Sequence, residues 1–104
     1  MAFVRTVSFT MPQDEADQIR PGTRSYTALV PGRKFMAQAQ SGLIQTNVWR
    51  STNRSGMVNF VIFTEWSTLE DLNAYASVPV IKEIEQALST ESNPVQIQVY
   101  EVIG

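Results

Sequence analysis

Trp66, Tyr75 and Arg50 are the side chains of this chain with most to offer a bound molecule. Trp66 ends an apolar run, MVNFVIFTEW, and a helix start follows at once. An indole there is either a core anchor for the strand–helix junction or one wall of a pocket. Phe60, Ile62 and Thr64 share its strand face by the two-residue period, as core or as lining. Tyr75 falls at the edge of a helical apolar stripe, where its phenol either enters a cavity or reaches solvent. Tyr26 is placed similarly on an earlier helix. Arg50, beside Trp49 on a strand, either holds an anionic group or guards a sheet edge against aggregation. Glu70 and Asp71 are carboxylates, but acids in the first turn of a helix stabilise its positive end.

The rest of the catalytic repertoire is missing from the residues themselves. The 104 residues include no His and no Cys, which removes thiolate nucleophiles, disulfides and thiolate or imidazole metal sites. No carboxylate pair, metal-ligand cluster, Gly-rich phosphate loop or nucleophile motif appears. The net charge of −2 argues against a nucleic-acid partner, which needs a basic face. The charge is uneven: residues 1–60 carry seven Lys and Arg against three acids, and residues 61–104 carry one Lys against seven acids. That pattern is either a set of ordinary solvated faces or a basic rim for an anionic ligand. No apolar run approaches the ~18 residues of a membrane span, and the N-terminus lacks the apolar core of a signal peptide. A cytoplasmic protein of one domain, residues 1–104, is expected.

The elements that must position these residues read clearly in most places. Residues 2–10 alternate, with Phe3, Val7 and Phe9 on one face of a strand. Residues 11–22 carry two prolines and read as a loop with one short helical turn. Residues 23–40 have helical spacing interrupted by Pro31-Gly32, which predicts a helix that breaks at Pro31, with Gly42 as its left-handed cap. Residues 43–51 are a strand, 52–56 a hairpin turn, and Met57–Trp66 the next strand. That last strand is apolar on both faces: Val58, Phe60 and Ile62 on one, Met57, Val61 and Phe63 on the other. Helices cover one side of such a strand, so the other side predicts a partner subunit.

The second helix has a capping box at Ser67–Glu70, with a second possible register starting at Thr68. Leu69, Leu72 and Ala76 form its stripe. Ser77 caps a second piece that begins near Pro79 and buries Val80, Ile81, Ile84 and Leu88. After a loop at 89–94, Val95, Ile97 and Val99 alternate in a last strand. The order β-α-β-β-α-β is the ferredoxin-like arrangement, an α+β four-stranded antiparallel sheet with helices on one face.

The stretch GLIQTNVWRSTNRSGMVNFVIFTEWSTLEDLNAYASVPVIKEIEQAL resembles the antibiotic biosynthesis monooxygenase family of dimeric α+β barrels. The shared features are a Gly after the first helix, a hairpin and a strand ending in Trp-Ser. A helix with Leu69, Leu72 and Tyr75, an interrupting Pro79 and a closing Val-Tyr-Glu-Val follow. The resemblance implies a homodimer joined sheet to sheet, with a pocket between sheet and helices in each subunit. It implies oxidation of aromatic polyketides with O2 and no cofactor in some members, and haem degradation in others. The family's recurrent pocket Trp corresponds to Trp66. The helix His that ligates haem in the degrading members has no counterpart, so no haem or other cofactor is expected. The family's Asn near the Trp has only Asn59 to match it, at an odd separation that puts the two on opposite faces.

The expected function is therefore binding or oxygenation of a small apolar, aromatic or quinone-like molecule near Trp66, lined by Trp66, Tyr75, Phe60, Ile62, Tyr26 and Arg50. The competing expectation is a non-catalytic dimer of the same fold. In the first case the general base would be a water, a desolvated carboxylate such as Asp71, or a tyrosinate, each needing a large pKa shift.

Overall fold

The computed structural model describes residues 1–52, 56–88 and 94–104. The hairpin turn expected at 52–56 and the loop at 89–94 fall largely outside these residues. Four strands form one sheet: β1 (Phe3–Pro12), β2 (Leu43–Arg50), β3 (Met57–Trp66) and β4 (Gln96–Glu101), in the order β2-β3-β1-β4 with every neighbouring pair antiparallel. This is the expected ferredoxin-like order. β1 and β3 take the central positions, and their inner faces are apolar except at Arg5 and Thr64. Their register sets Phe3 against Trp66, Val7 against Ile62 and Phe9 against Phe60.

The helices pack on one face: α1 (Gln13–Ala16), α2 (Arg24–Thr27), α3 (Arg33–Gln38), α4 (Leu69–Ala76) and α5 (Pro79–Leu88). None is long and apolar enough to cross a membrane among the described residues. The expected break at Pro31 is absent. Ala28–Gly32 forms a π-helical turn that joins α2 to α3 without interrupting the helical path. Pro31 has no N–H for the Thr27 carbonyl, and the wider turn absorbs that loss. Gly32 lies against the same carbonyl, where a Cβ would sit 2.8 Å from the oxygen.

Gly42 is left-handed, with φ +83°, but α3 ends at Gln38 and Gly42 caps no helix. It turns the chain into β2 beneath the start of α4. A Cβ there would overlap the Asp71 carboxylate, which holds the Thr68 hydroxyl at 2.9 Å. Gly42→Ala is expected to destabilise the fold by about 2 kcal/mol, from left-handed strain plus loss of that contact. Urea unfolding measures it; a loss below ~0.5 kcal/mol would refute the assignment.

The start of α4 uses the second register of the cap. The Thr68 hydroxyl accepts from the Asp71 N–H at 3.1 Å. Ser77 does not cap α5; its hydroxyl donates to the Asn73 carbonyl in the last turn of α4 at 2.7 Å. The buried stripe is also rotated from the expected one. Leu72 and Tyr75 are buried while Leu69 is exposed, and on α5 Ile81 and Glu85 are buried while Val80 is exposed. On β4, Ile97 and Val99 lie on the helix side of the sheet, yet both are about half exposed.

Candidate functional site

The inner face of the sheet carries two apolar clusters with a polar row between them. One cluster gathers Val7, Phe9, Ala16, Leu29, Val58, Phe60 and Ile62. The other gathers Ala37, Trp66, Leu72, Tyr75 and Ile81. Between them Thr46, Thr64 and Arg5 lie side by side across β2, β3 and β1. The Thr46 hydroxyl donates to the Phe63 carbonyl and the Thr64 hydroxyl to the Arg5 carbonyl. Above this row α5 supplies Glu85 and α3 supplies Arg33.

These residues form a buried ion triad. Arg5 donates to both oxygens of Glu85, at 2.8 and 2.7 Å, and Arg33 donates to one of them at 3.1 Å. Arg5 and Glu85 are 5% exposed and Arg33 2%. Burial alone raises the Glu85 carboxyl pKa, but the hydrogen bonds and charges of Arg5 and Arg33 outweigh it and hold the group below its ordinary value. Glu85 is therefore a saturated carboxylate and no general base. The phenol of Tyr75 is pushed up by burial, so it stays neutral at physiological pH.

Among the described residues, four buried polar atoms at this level have no partner: Nε and Nη1 of Arg33, Nε1 of Trp66 and Oη of Tyr75. All four can donate a hydrogen bond. The Trp66 and Tyr75 rings pack on each other with centroids 4.9 Å apart, and both are almost wholly buried. Thr64 connects them to the triad: it lies directly across from Arg5 and two residues before Trp66 on the same strand face.

A cavity of about 320 Å³ opens between β1, the α2–α3 segment and α5. Phe9, Met11, Ile19, Ala28, Leu29, Ile84 and Leu88 make its wall apolar, and Ser25 and Arg33 are its polar residues. On the other side of the triad a groove of about 360 Å³ is lined by Arg5, Glu85, Lys82, Gln86, Ala76, Val95 and Ile97.

The residues singled out from sequence are thus dispersed. Trp66 and Tyr75 stand together. Phe60 and Ile62 belong to the other cluster, where Phe60 stacks on Phe9 at 5.4 Å. Arg50 lies over the Phe60 ring at 5.9 Å and binds the Ala16 carbonyl and the Asp17 carboxylate, whose pKa its hydrogen bond lowers. Tyr26 lies in α2, two residues before the π-helical segment, with its N–H on the Thr23 hydroxyl that caps α2. Asp71 is committed to the cap of α4.

Sequence reasoning missed Arg5, Arg33 and Glu85. Each carries its signal in the pattern. Arg5 has the parity of Phe3, Val7 and Phe9; Arg33 is four residues from both Leu29 and Ala37; Glu85 is four from Ile81 and three from Leu88. A charge on the apolar stripe of three separate elements, of complementary sign, marks a buried cluster.

No family model and no characterised relative matches the sequence. Solved structures do match in fold. A Deinococcus radiodurans protein provisionally named an antibiotic biosynthesis monooxygenase superposes with a TM-score of 0.72 at 14% identity, covering 98% of this chain and 93% of its own. Rv0793 from Mycobacterium tuberculosis gives 0.66 at 18% identity, over 98% and 96%. SnoaB, a cofactor-independent oxygenase from Streptomyces nogalater, gives 0.61 at 11% identity, over 100% and 96%. The resemblance read from the Trp-Ser helix start holds across the whole chain, and this protein has the fold of the antibiotic biosynthesis monooxygenases and cofactor-independent oxygenases.

Proposed function

We propose that this chain forms a homodimeric, cofactor-independent-oxygenase-like protein that takes a small aromatic or quinone-like molecule between sheet and helices, near Trp66. The observation that carries this reading is the set of four unpartnered donors from Arg33, Trp66 and Tyr75. Buried donors without acceptors are rare in folded proteins, and the ligand oxygens of a phenol or quinone are acceptors. The triad adds a net positive charge beside them, which favours the ionised form of an acidic phenol or enol. The substrate then needs no poised protein base. Its proton leaves to water, its enolate donates an electron to O2, and the resulting carbon hydroperoxide loses water to leave a carbonyl. In sum, a CH2 group and O2 become C=O and water.

Dimerisation through the open sheet face would close the barrel. Support comes from the apolar side chains on that face: Met57, Val61 and Phe63 of β3, with Trp49 of β2 packed on Phe63 at 4.9 Å yet still 49% exposed. The alternative reading is a non-catalytic binding dimer, favoured by the complete enclosure of Trp66 and the saturation of Glu85. Oxygen-electrode measurements with an anthrone and a hydroquinone, alongside light scattering, separate the two. The expected result is a dimer that consumes one O2 per anthrone converted to anthraquinone. A dimer that binds the anthrone without consuming O2 would leave the non-catalytic reading standing.

A further inference from the structure

The two outer strands of the sheet each have an unpaired edge, and the two edges are built differently. β2 shows the features that keep an edge solitary. A bulge interrupts its register between Leu43 and Gln45, Lys34 of α3 lies beside its first residues, and Arg50 stands at its end. β4 has none of these. Its register against β1 runs unbroken, and from Val95 to Ile103 the single charged side chain is Glu101. Every residue from Gln96 to Glu101 is exposed, and among the described residues no strand pairs beyond it.

The ladder with β1 tells which backbone groups of β4 are free. The Val102 N–H donates to the Ala2 carbonyl at 2.9 Å. By alternation, Gln96, Gln98 and Tyr100 turn their N–H and C=O groups toward β1, while Ile97, Val99 and Glu101 turn theirs outward. Two of these outward-facing residues also carry apolar side chains on the helix side of the sheet. Ile97 and Val99 stay 46% and 49% exposed there, so the helices leave this margin of the sheet bare on top as well as along its edge.

We propose that the free edge of β4 pairs antiparallel with the β4 edge of a second copy, about a twofold axis at Gln98. In this register Ile97 of each copy lies opposite Val99 of the other, and the two exchange both backbone hydrogen bonds. Gln98 faces Gln98, Gln96 faces Tyr100, and the two Glu101 carboxylates fall at opposite ends of the ladder. An axis at Val99 would set Glu101 against Ile97, and one at Tyr100 would set it against Val99, a carboxylate on an apolar side chain in both cases. An axis at Ile97 shortens the ladder, because β4 begins at Gln96. The contact uses the edge of the sheet and not its open face, so it does not rest on the ligand-binding reading above.

Gln98→Cys tests the register directly. The chain has no other Cys, and opposed residues of a non-hydrogen-bonded antiparallel pair stand ~4.5 Å apart, within disulfide reach. Under oxidised glutathione, Gln98→Cys is expected to give at least fivefold more covalent dimer than Gln96→Cys or Tyr100→Cys, whose like-numbered copies stand about 13 Å apart along the strands. Sheets stacked face to face are ~10 Å apart, so a dimer through the open face does not form this bond. Val99→Pro removes an outward N–H and no hydrogen bond to β1. It should abolish the cross-link in a Gln98→Cys background and lower the mass measured by light scattering at least twofold. If Val99→Pro does not fold, Ile97→Glu, which places a charge on the same edge, is expected to give the same two losses. Absence of a cross-link at Gln98, equal cross-linking at all three positions, or a mass unchanged by the folded edge variant would overturn the proposal.

Discussion

Glu85→Ala is expected to cost about 3–5 kcal/mol of folding stability, because it strands two buried guanidinium groups with no counter-charge. The wild-type Glu85 takes three hydrogen bonds from Arg5 and Arg33, so its loss is felt by both. The pH dependence has a definite sign. A carboxyl held below its unfolded value near 4.5 contributes fully above that value and loses its contribution as pH falls through the folded one. Chemical denaturation of the wild type should therefore show a loss of stability as pH drops below about 4.5, and Glu85→Ala should reduce it. A variant with Arg5→Met, Glu85→Leu and Arg33→Met together is expected to fold with stability equal to the wild type or up to about 4 kcal/mol higher. A Glu85→Ala loss below ~1 kcal/mol would mean that water reaches the triad and screens it.

Trp66→Ala carries the other large effect. The indole is fully buried in the cluster of Ala37, Leu72, Tyr75 and Ile81, against which Phe3 packs, and removing a buried Trp costs about 3–5 kcal/mol. Trp66→Phe is the more discriminating change. It keeps an aromatic ring against Tyr75 and deletes the unpartnered Nε1 donor, at an expected cost of about 1–2 kcal/mol. If that donor meets a ligand oxygen, anthrone binding or O2 consumption should fall severalfold in a protein that still melts cooperatively. A lowered Tm with unchanged anthrone affinity and turnover would make Trp66 a packing residue and nothing more.

The architecture was legible in the sequence because two-residue alternation and turn residues are local signals. β3 was read at its full extent, Met57–Trp66. The α2–α3 segment was misread at Pro31, since a proline announces a missing hydrogen bond but not whether a wider turn will accommodate it. The cap of α4 was ambiguous between two registers, and Asp71 decided it from its position three residues after Thr68. Tyr75 looked marginal on a stripe that turned out to be rotated. The triad was hidden for a different reason. Charges are normally assigned to solvent one residue at a time, whereas Arg5, Arg33 and Glu85 make sense only together, across 80 residues of chain.

That triad has a consequence for strand alignment. On its inner face β1 offers Phe3, Val7 and Phe9, a sequence of apolar side chains that tolerates sliding by two residues against β3 with little change in burial. Arg5 removes that degeneracy. Shifted by two positions, its guanidinium would lie opposite Ile62 or Trp66, inside one of the apolar clusters and away from Glu85. The alternation alone decides which face of β1 points inward; a single ion pair reaching to α5 decides which of several equally greasy alignments the sheet adopts.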